Sequence, residues 1–288
     1  MCKENHALKY ILAQILQPFA RTLTAPGMAV KKQQQDYETL TLTDHPPWAQ
    51  TFWNSLEPLK EQVASHPFFN EMASGTLDVN CFRHALLNFY PLVAHFPHFM
   101  GLTLSHTTDI RLPGMLEARD WLIGNIRIEQ RHLFWYRDWA KGFGITDDQL
   151  DNVRPPAAMD AVNHYLWHMN ERGSVAEAIA ATNLAIEWAT GEWSRKVVSG
   201  MREYARTGQA VIDRRTMAWL RAHAHYDDHH PHEAMELIKR LCTDDASREA
   251  ARLAAKRGME YYLMALDDCF TLHQPASARK SQTRPVAV

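Results

Sequence analysis

A chain of 288 residues, with 46% hydrophobic and 22% charged residues, can bury the core of one large or two small soluble domains. Its formal net charge of −2 gives no electrostatic reason to expect nucleic acid or an anionic membrane as a partner. The four cysteines are widely spaced and form no C-x-x-C pair, which argues against a disulfide framework or a cysteine-rich zinc site. This cysteine pattern makes a reducing cytoplasm the expected compartment. Because the sequence contains no run of about 18 apolar residues, no transmembrane helix is expected.

The periodicity of the chain predicts an all-α protein, because no alternating strand pattern of useful length is present. Residues 1–42 are interpreted as an N-terminal extension and residues 43–273 as one helical domain. Residues 274–288 are interpreted as a disordered tail.

The first predicted helix of the domain starts after Thr43 or Asp44, with Pro46-Pro47 in its first turn. Pro67 and Gly75 are typical of a loop, and a loop is predicted there.

A long helix then follows Asp78, which is a good N-cap residue. Pro91 and Pro97 lie inside it and predict kinks or a break. Pro113-Gly114 precedes the next helix, which Gly142 closes. The apolar residues predicted to face inward from that helix are Leu116, Trp121, Leu122, Ile126, Leu133, Phe134 and Trp139.

Further helices are predicted after Pro155-Pro156 and after the capping box of Ser174 and Glu177. A helix over residues 211–230 comes next, with a kink or restart at Pro231. The last predicted helix runs from Ala246 to Leu272.

The predicted helix 211–230 ends in an unusual stretch of histidines and aspartates. At about 100° per residue, His223, Asp227 and His230 project from one side of it. Imidazole and carboxylate are ligands for iron, manganese or zinc, so this face is a candidate metal site. A solvated, histidine-rich helix end is the alternative. The remaining histidines of the stretch are interpreted as bystanders: His225, His229 and His232.

Glu129 and His132 form a single E-x-x-H, which places a carboxylate and an imidazole on one helix face. Ferritin-like di-iron bundles use this motif twice. The chain has no second copy, so a ferritin-like site is not predicted, and a surface pair remains the alternative interpretation.

Glu187 lies in the middle of an apolar helix, where a carboxylate is costly to bury unless it is paired, protonated or bound to a metal. Glu192 lies about 140° further round and is predicted to face outward. A zinc hydrolase would more often show H-E-x-x-H, which is absent. Three predicted helices thus offer a ligand set that suits a pair of irons. Its members are Glu129, His132, Glu187, His223, Asp227 and His230.

Three blocks of the sequence resemble the haem-oxygenase-like di-iron oxidases and oxygenases, whose fold is shared with the TenA and PqqC proteins. The resemblance spans roughly residues 45–270. Its three blocks are Asn125-Ile126-Arg127-Ile128-Glu129 with His132, Ala180-Ala181-Thr182-Asn183 through Glu187 to Ser194, and His223 through Tyr226-Asp227-Asp228 to His230-Pro231. The resemblance implies a seven-helix bundle that holds iron, in the ferrous or ferric state, between its central helices. It also implies that Glu129, His132, Glu187, His223 and Asp227 are ligands. His230 matches a ligand position of other family members.

The resemblance is greatest to the UndA-like members, which decarboxylate medium-chain fatty acids to terminal alkenes with O₂ as co-substrate. The expected function is therefore that of an O₂-dependent iron oxidoreductase acting on an aliphatic carboxylic acid. An oxygenase acting on an amino acid or amine is the runner-up. Two further interpretations are a TenA-type hydrolase with Cys81 or Cys242 as nucleophile, and a non-enzymatic regulator or binding protein. A homodimer is the expected assembly.

One departure from the family pattern bears on the site. The decarboxylases carry a further iron-binding glutamate where Tyr90-Pro91-Leu92-Val93 is followed here by Ala94. His95 or His98 could replace it, the site could hold iron with fewer ligands, or binding of one iron could be impaired; weakened or altered binding at one iron is favoured.

Aromatic residues are candidates for the wall of a substrate pocket, with core packing as the alternative for each. They are Phe89, Phe96, Phe99, Trp135, Trp167 and Trp188. Arg127 lies two positions before Glu129, on the opposite helix face, and is predicted to be a surface or structural residue.

Overall fold

The computed structural model describes residues 40–225 and 229–271, and these residues contain helices but no strand. The helices are α1 (Pro47–Ala64), α2 (Pro67–Ser74), α3 (Val79–Ser105), α4 (Met115–Gly142), α5 (Asp147–Asp151), α6 (Ala157–Arg172), α7 (Val175–Ile179), the π-helix π1 (Ala180–Glu187), α8 (Trp188–Arg206), α9 (Ala218–His225), α10 (His230–Leu241) and α11 (Asp245–Thr271). The all-α prediction is confirmed. The predicted extension, apart from residues 40–42, and the predicted tail lie outside the described residues.

The helices pack in a bundle around two clusters of buried apolar residues. Helix α3 packs against α4 and α6, and α11 packs against α6 and π1. Helix α8 contacts α2 and α9, while α10 lies against π1. Helix α4 also contacts α9 and α10, so these elements and π1 meet although α4, π1 and α9 are far apart in the sequence. Within the described ranges, no helix combines the length and hydrophobicity needed to cross a membrane.

The predicted loop between Pro67 and Gly75 is wrong, because these residues bound helix α2. Pro67 occupies the first helical position, where its missing N–H costs nothing. The His66 side chain accepts a hydrogen bond from the backbone N–H of Phe68 at 3.1 Å. Gly75 ends the helix in the left-handed region, with φ of 71°. The same two residues that suggested a loop thus start and stop a short helix.

Helix α3 runs without interruption through Pro91 and Pro97, so the predicted break is wrong. Asp78 caps it as predicted, and its carboxylate accepts hydrogen bonds from the N–H groups of Asn80 and Cys81. Because Leu92 and Phe96 are buried in the core on this stretch, packing holds the helix where the prolines remove backbone hydrogen bonds.

The inward face of α4 agrees with the predicted one at the buried Leu122 and Trp139 and differs from it at two positions. Leu116 and Phe134 are 44% and 59% exposed, whereas Asn125, Glu129 and His132 are buried. The apolar pattern misplaced Leu116 and Phe134 because the polar side chains of Asn125, Glu129 and His132 occupy part of the interior.

The helix predicted over 211–230 is shorter than expected, since α9 begins only at Ala218. The Asp213 carboxylate accepts hydrogen bonds from the backbone N–H groups of Arg215 and Thr216, which stabilises a turn in place of the helix. A new helix starts at His230, so the restart predicted at Pro231 is confirmed. His223 and His230 consequently lie on different helices, and the argument from one helical face fails for His230.

Candidate metal centre

Four of the predicted ligands are buried side chains from three different elements. Glu129 and His132 lie one turn apart on α4, Glu187 is the last residue of π1, and His223 is on α9. Each is no more than 6% exposed. His230, the first residue of α10, is partly buried. Asp227 lies outside the described residues.

These five side chains form two adjoining groups with metal-binding geometry. Glu129, His132 and His223 each offer a ligand atom within 4.8 Å of the others, and so do Glu129, Glu187 and His230. Glu129 belongs to both groups. A carboxylate shared between two imidazole and carboxylate clusters suits a pair of first-row metal ions with a bridging ligand.

Hydrogen bonds orient the imidazole of His223. Its Nδ1 lies 2.9 Å from the Trp219 carbonyl oxygen, which favours the tautomer with the proton on Nδ1, so that Nε2 is the nitrogen able to bind a metal. The indole of Trp219 also stacks on the imidazole at a centroid distance of 3.9 Å. Burial lowers the pKa of His223 to about 3, so the ring is neutral, which is the form that binds a metal.

His132 carries a buried nitrogen whose hydrogen-bonding capacity is unused. Its Nδ1 lies 3.1 Å from Glu129 Oε1, yet it has no partner of hydrogen-bond geometry among the described residues. Buried polar atoms are rarely left unpaired. An unpaired imidazole nitrogen beside a carboxylate is the expected appearance of a metal ligand.

Both carboxylate oxygens of Glu187 are held in place. Asn183, four residues earlier on π1, donates a hydrogen bond to Oε1 at 2.6 Å, and His230 Nδ1 lies 3.0 Å from Oε2. Burial raises the pKa of Glu187, and the nearby Glu129 carboxylate raises it further. Two buried carboxylates repel each other, and divalent cations would remove that cost. The residues present therefore fit iron.

The residues that could have replaced the missing glutamate lie outside this centre. Ala94 packs against the apolar core. His95 Nδ1 lies 3.4 Å from the Asn163 side-chain oxygen on α6, and its ring contacts Trp167. His98 is exposed, with Nδ1 3.3 Å from the Ala94 carbonyl oxygen. Neither histidine falls into a ligand group among the described residues, so the structure gives no support for histidine replacement.

The three histidines predicted to be bystanders also lie outside the ligand groups. His225 and His229 are exposed, and His232 stacks on Trp53 at 4.8 Å. Glu192 forms ion pairs with Lys60 and Arg195. Arg127, also predicted to lie at the surface, is exposed.

A cavity adjoins the centre, with Glu129, Glu187 and His223 in its wall. Most of the remaining wall is aromatic or aliphatic, and no Lys or Arg occurs in it among the described residues. The other lining residues are Phe68, Phe69, Met72, Ala85, Leu86, Phe89, Leu92, Val93, Phe96, Tyr136, Trp139, Ile186, Thr190, Trp193, Trp219 and Tyr262.

Of the aromatic residues proposed for the pocket, Phe89 and Phe96 line the cavity. The other four are not in the wall: Phe99 and Trp167 contact each other, Trp188 contacts Trp53, and Trp135 lies against His132. The sequence interpretation missed Phe68 and Phe69 because it placed them in a loop. It also missed Asn183, although an amide four residues before a buried glutamate was a usable signal.

The described cysteines do not form a nucleophilic site. Cys81, Cys242 and Cys269 are buried and none lines the cavity. Burial raises the pKa of Cys81 to about 12 and those of Cys242 and Cys269 to about 11, so the thiols stay protonated at neutral pH.

Comparison with known families agrees with this geometry. Residues 83–263, more than half of the chain, match the model of a family described as iron-containing redox enzymes. The chain belongs to this haem-oxygenase-like family. All five described candidate ligands lie within the matched residues.

Two solved structures confirm the haem-oxygenase-like, TenA-like fold. A TenA homologue from Pseudomonas syringae is 31% identical and superposes with a TM-score of 0.72, over 81% of this chain and 99% of that one. A domain of unknown function with a heme oxygenase-like fold from Shewanella denitrificans is 14% identical, with a TM-score of 0.66, over 83% of this chain and 97% of that one.

Among curated proteins, an uncharacterised protein of Haemophilus influenzae is 29% identical over 43% of this chain and 55% of its own length. An aminopyrimidine aminohydrolase of Halalkalibacterium halodurans is 23% identical over 49% of this chain and 61% of its own length. The chain thus spans less than two thirds of both relatives. A 4-aminobenzoate synthase of Chlamydia trachomatis is 23% identical over 69% of this chain and 85% of its own length.

Proposed function

We propose that this protein is an O₂-dependent, non-haem iron oxidoreductase that acts on an aliphatic carboxylic acid. The observation that carries the proposal is the sharing of Glu129 by two ligand groups beside an apolar cavity. Glu129, His132 and His223 would hold one iron, and Glu129, Glu187 and His230 the other. Asp227 is added as a ligand on the family resemblance alone. When bound, the irons would supply the activation of O₂.

The protein's own residues would bind and orient the substrate. The apolar wall, formed largely by aromatic rings such as Phe68, Phe69 and Phe89, suits an alkyl chain and excludes water from the reacting end. Because the described wall contains no Lys or Arg, the negative charge of a substrate carboxylate would have to be balanced at the metal centre. The carboxylate and its neighbouring carbons would then lie beside Glu129 and Glu187.

The reaction we favour is oxidative decarboxylation, as in the UndA-like enzymes. A fatty acid R–CH₂–CH₂–COOH would lose CO₂, two electrons and two protons to give the terminal alkene R–CH=CH₂, with O₂ as the electron acceptor. This choice rests on the three resembling sequence blocks and on the apolar cavity. An amino acid or amine as substrate is the second candidate, although among the described residues the wall offers no carboxylate beyond the candidate ligands Glu129 and Glu187 to pair with an ammonium group.

Hydrolysis by a cysteine nucleophile is disfavoured, because none of the described cysteines reaches the cavity. A metal-impaired binding protein is the remaining alternative, and Ala94→Glu tests it. Since Ala94 does not line the cavity, this variant should bind no more iron than the wild type. A gain of iron and turnover in Ala94→Glu would instead indicate a degraded centre.

The direct test is anaerobic loading with Fe(II), followed by metal analysis and by O₂-electrode assays with saturated acids from octanoic to tetradecanoic. We expect a pair of irons per chain, O₂ uptake that depends on the acid, and a terminal alkene in the headspace. A parallel assay with an aminopyrimidine substrate tests for hydrolysis. Hydrolysis without iron, or iron binding without O₂ uptake for any acid or amine, would contradict the proposal.

A further inference from the structure

Two hydroxyl groups interrupt the apolar wall of the cavity next to the candidate metal centre. Thr190 lies three residues after Glu187 on the helix that continues from π1, so both side chains line the cavity about one turn apart. Tyr262 reaches the same region from α11, and its hydroxyl oxygen is 3.4 Å from Thr190 Oγ1. Both residues are buried.

One hydroxyl proton of this pair has only a distant acceptor. The indole N–H of Trp193 donates to the Tyr262 hydroxyl oxygen at 2.9 Å, so the tyrosine acts as an acceptor in that bond. Its own proton must point elsewhere, and Thr190 at 3.4 Å is at the outer limit of a hydrogen bond. One hydroxyl proton of the pair is therefore available to a molecule in the cavity.

In the other tyrosine of the cavity wall, the hydroxyl proton already takes part in a hydrogen bond. Tyr136 donates to the Leu86 carbonyl oxygen at 2.9 Å. The Thr190 and Tyr262 pair differs from Tyr136, because its two hydroxyl oxygens are 3.4 Å apart and both residues line the cavity.

We propose that Thr190 and Tyr262 form a hydrogen-bonding subsite for an oxygen atom in the head group of the ligand. The ligand class is a chain of aliphatic carbon with an oxygen-bearing end, such as a fatty acid or the corresponding alcohol. With the head group at this pair, the reacting carbons lie one helical turn from Glu187 and the alkyl chain follows Phe68, Phe69 and Met72. The inference deepens the proposed function and rests on it for the identity of the substrate.

The test uses metal-free full-length protein, so that it does not depend on iron or O₂. Binding of 1-decanol is measured by calorimetry for the wild type, Thr190→Val and Tyr262→Phe. Loss of one hydrogen bond should weaken binding about tenfold, equivalent to about 1.4 kcal/mol. Naphthalene, which has no oxygen, should bind all three proteins with affinities within about twofold of one another.

Tyr204→Phe is the matched control, since the Tyr204 hydroxyl donates to the Leu77 carbonyl oxygen at 3.0 Å and the residue does not line the cavity. It removes a buried tyrosine hydroxyl and should leave 1-decanol binding unchanged. Thr190→Val preserves the shape of the side chain, and circular dichroism checks that each variant is folded. Unchanged 1-decanol binding in Thr190→Val, an equal loss for naphthalene, or no binding of 1-decanol to the wild type would each overturn the subsite. None of these outcomes bears on whether iron activates O₂.

Discussion

At the scale of single residues, the centre depends most on Glu129, because its carboxylate is common to both ligand groups. The sequence identified this residue through E-x-x-H, but the motif could not reveal that the same carboxylate reaches a second cluster. That property arises from the approach of π1 and α10 to α4, which brings Glu187 and His230 within reach.

The shared role of Glu129 predicts a difference in metal content between two conservative variants. Glu129→Gln should lose both metals, whereas Glu187→Gln should lose the metal held with His230 and retain the other. Metal analysis after loading with Fe(II), and titration with Zn(II), measure the stoichiometry. Glu192→Gln, which alters a carboxylate that forms ion pairs with Lys60 and Arg195, should bind as the wild type. Equal losses in Glu129→Gln and Glu187→Gln would exclude the bridging role.

Asn183 is the positioning residue for Glu187, and its removal should weaken metal binding without contact to the metal. Asn183→Ala frees Oε1 of Glu187, and loss of such an outer partner typically costs about 10- to 100-fold in metal affinity. The measurement is the dissociation constant of the metal ion that Glu187 would help to hold. The control is Thr182→Val, since Thr182 bonds with Asn170 on α6 and should affect stability while leaving the metal affinity unchanged. Equal metal affinities of Asn183→Ala and the wild type would contradict this role.

At the scale of elements, the π-helix is the least predictable part of the structure. Ser174 and Glu177 form the predicted capping box that starts α7. Nothing in the apolar sequence Ala180–Glu187 distinguishes a π-helix from an α-helix, and all eight residues are buried. The wider turn changes the direction of the side chains that follow, and it ends at the candidate ligand Glu187. Tertiary packing against α10 and α11 decides this geometry.

The crossing of α2 and α8 is predicted to depend on a glycine. A Cβ at Gly200 would collide with the carbonyl oxygens of Met72 and Ala73, so Gly200→Ala should destabilise the protein by about 1–3 kcal/mol. At Gly101, inside α3, an added Cβ would meet no neighbouring atom within 4 Å. Gly101→Ala should therefore be neutral or stabilise by roughly 0.5–1 kcal/mol. Urea unfolding compares the two variants, and destabilisation of equal size in both would show that the close crossing is not the cause.

At the scale of the whole molecule, stability should fall as the solution is acidified. Burial lowers the pKa values of His66 and His95 below the ordinary 6.5, because the charged imidazolium is disfavoured in the folded protein. Burial alone would raise the pKa of Glu236. Hydrogen bonds from Lys239, Thr43 and Arg240 outweigh this effect and lower it to about 2.

The sign of this pH dependence follows from whether the folded or the unfolded state binds more protons. Below pH 6.5 the unfolded chain protonates these two histidines more readily than the folded one, so stability declines as the pH falls. Glu236 stabilises the fold above its ordinary pKa of 4.5, and this contribution is lost between pH 4.5 and about 2.

Urea unfolding at a series of pH values from 8 down to about 3 measures this decline. Glu236→Gln should be less stable at pH 7 and should lose less stability than the wild type below pH 4.5. Constant stability of the wild type from pH 7 to pH 5 would contradict the assignment to the buried histidines.

The sequence by itself determined the properties that depend on neighbouring residues along the chain. These include the helical class, the caps at Asp78 and Ser174, and the candidate ligands Glu129, His132 and Glu187. Local hydrogen bonds and the 3.6-residue repeat act over a few residues, so a pattern in the sequence reports them directly. The same local reasoning failed at α2 and at the start of α9, where turn residues serve as helix caps or replace a helical turn.

Tertiary structure alone decided which distant groups meet. It placed His230 beside Glu187 although a helix break separates it from His223, and it left His95 and His98 outside the centre. It also assembled the cavity from side chains of several helices, including Phe69, Thr190 and Tyr262. These contacts depend on how the helices cross and on the change from α-helix to π-helix at π1. Interactions between neighbouring residues do not determine the helix crossings or this change, because they arise from the packing of the whole core.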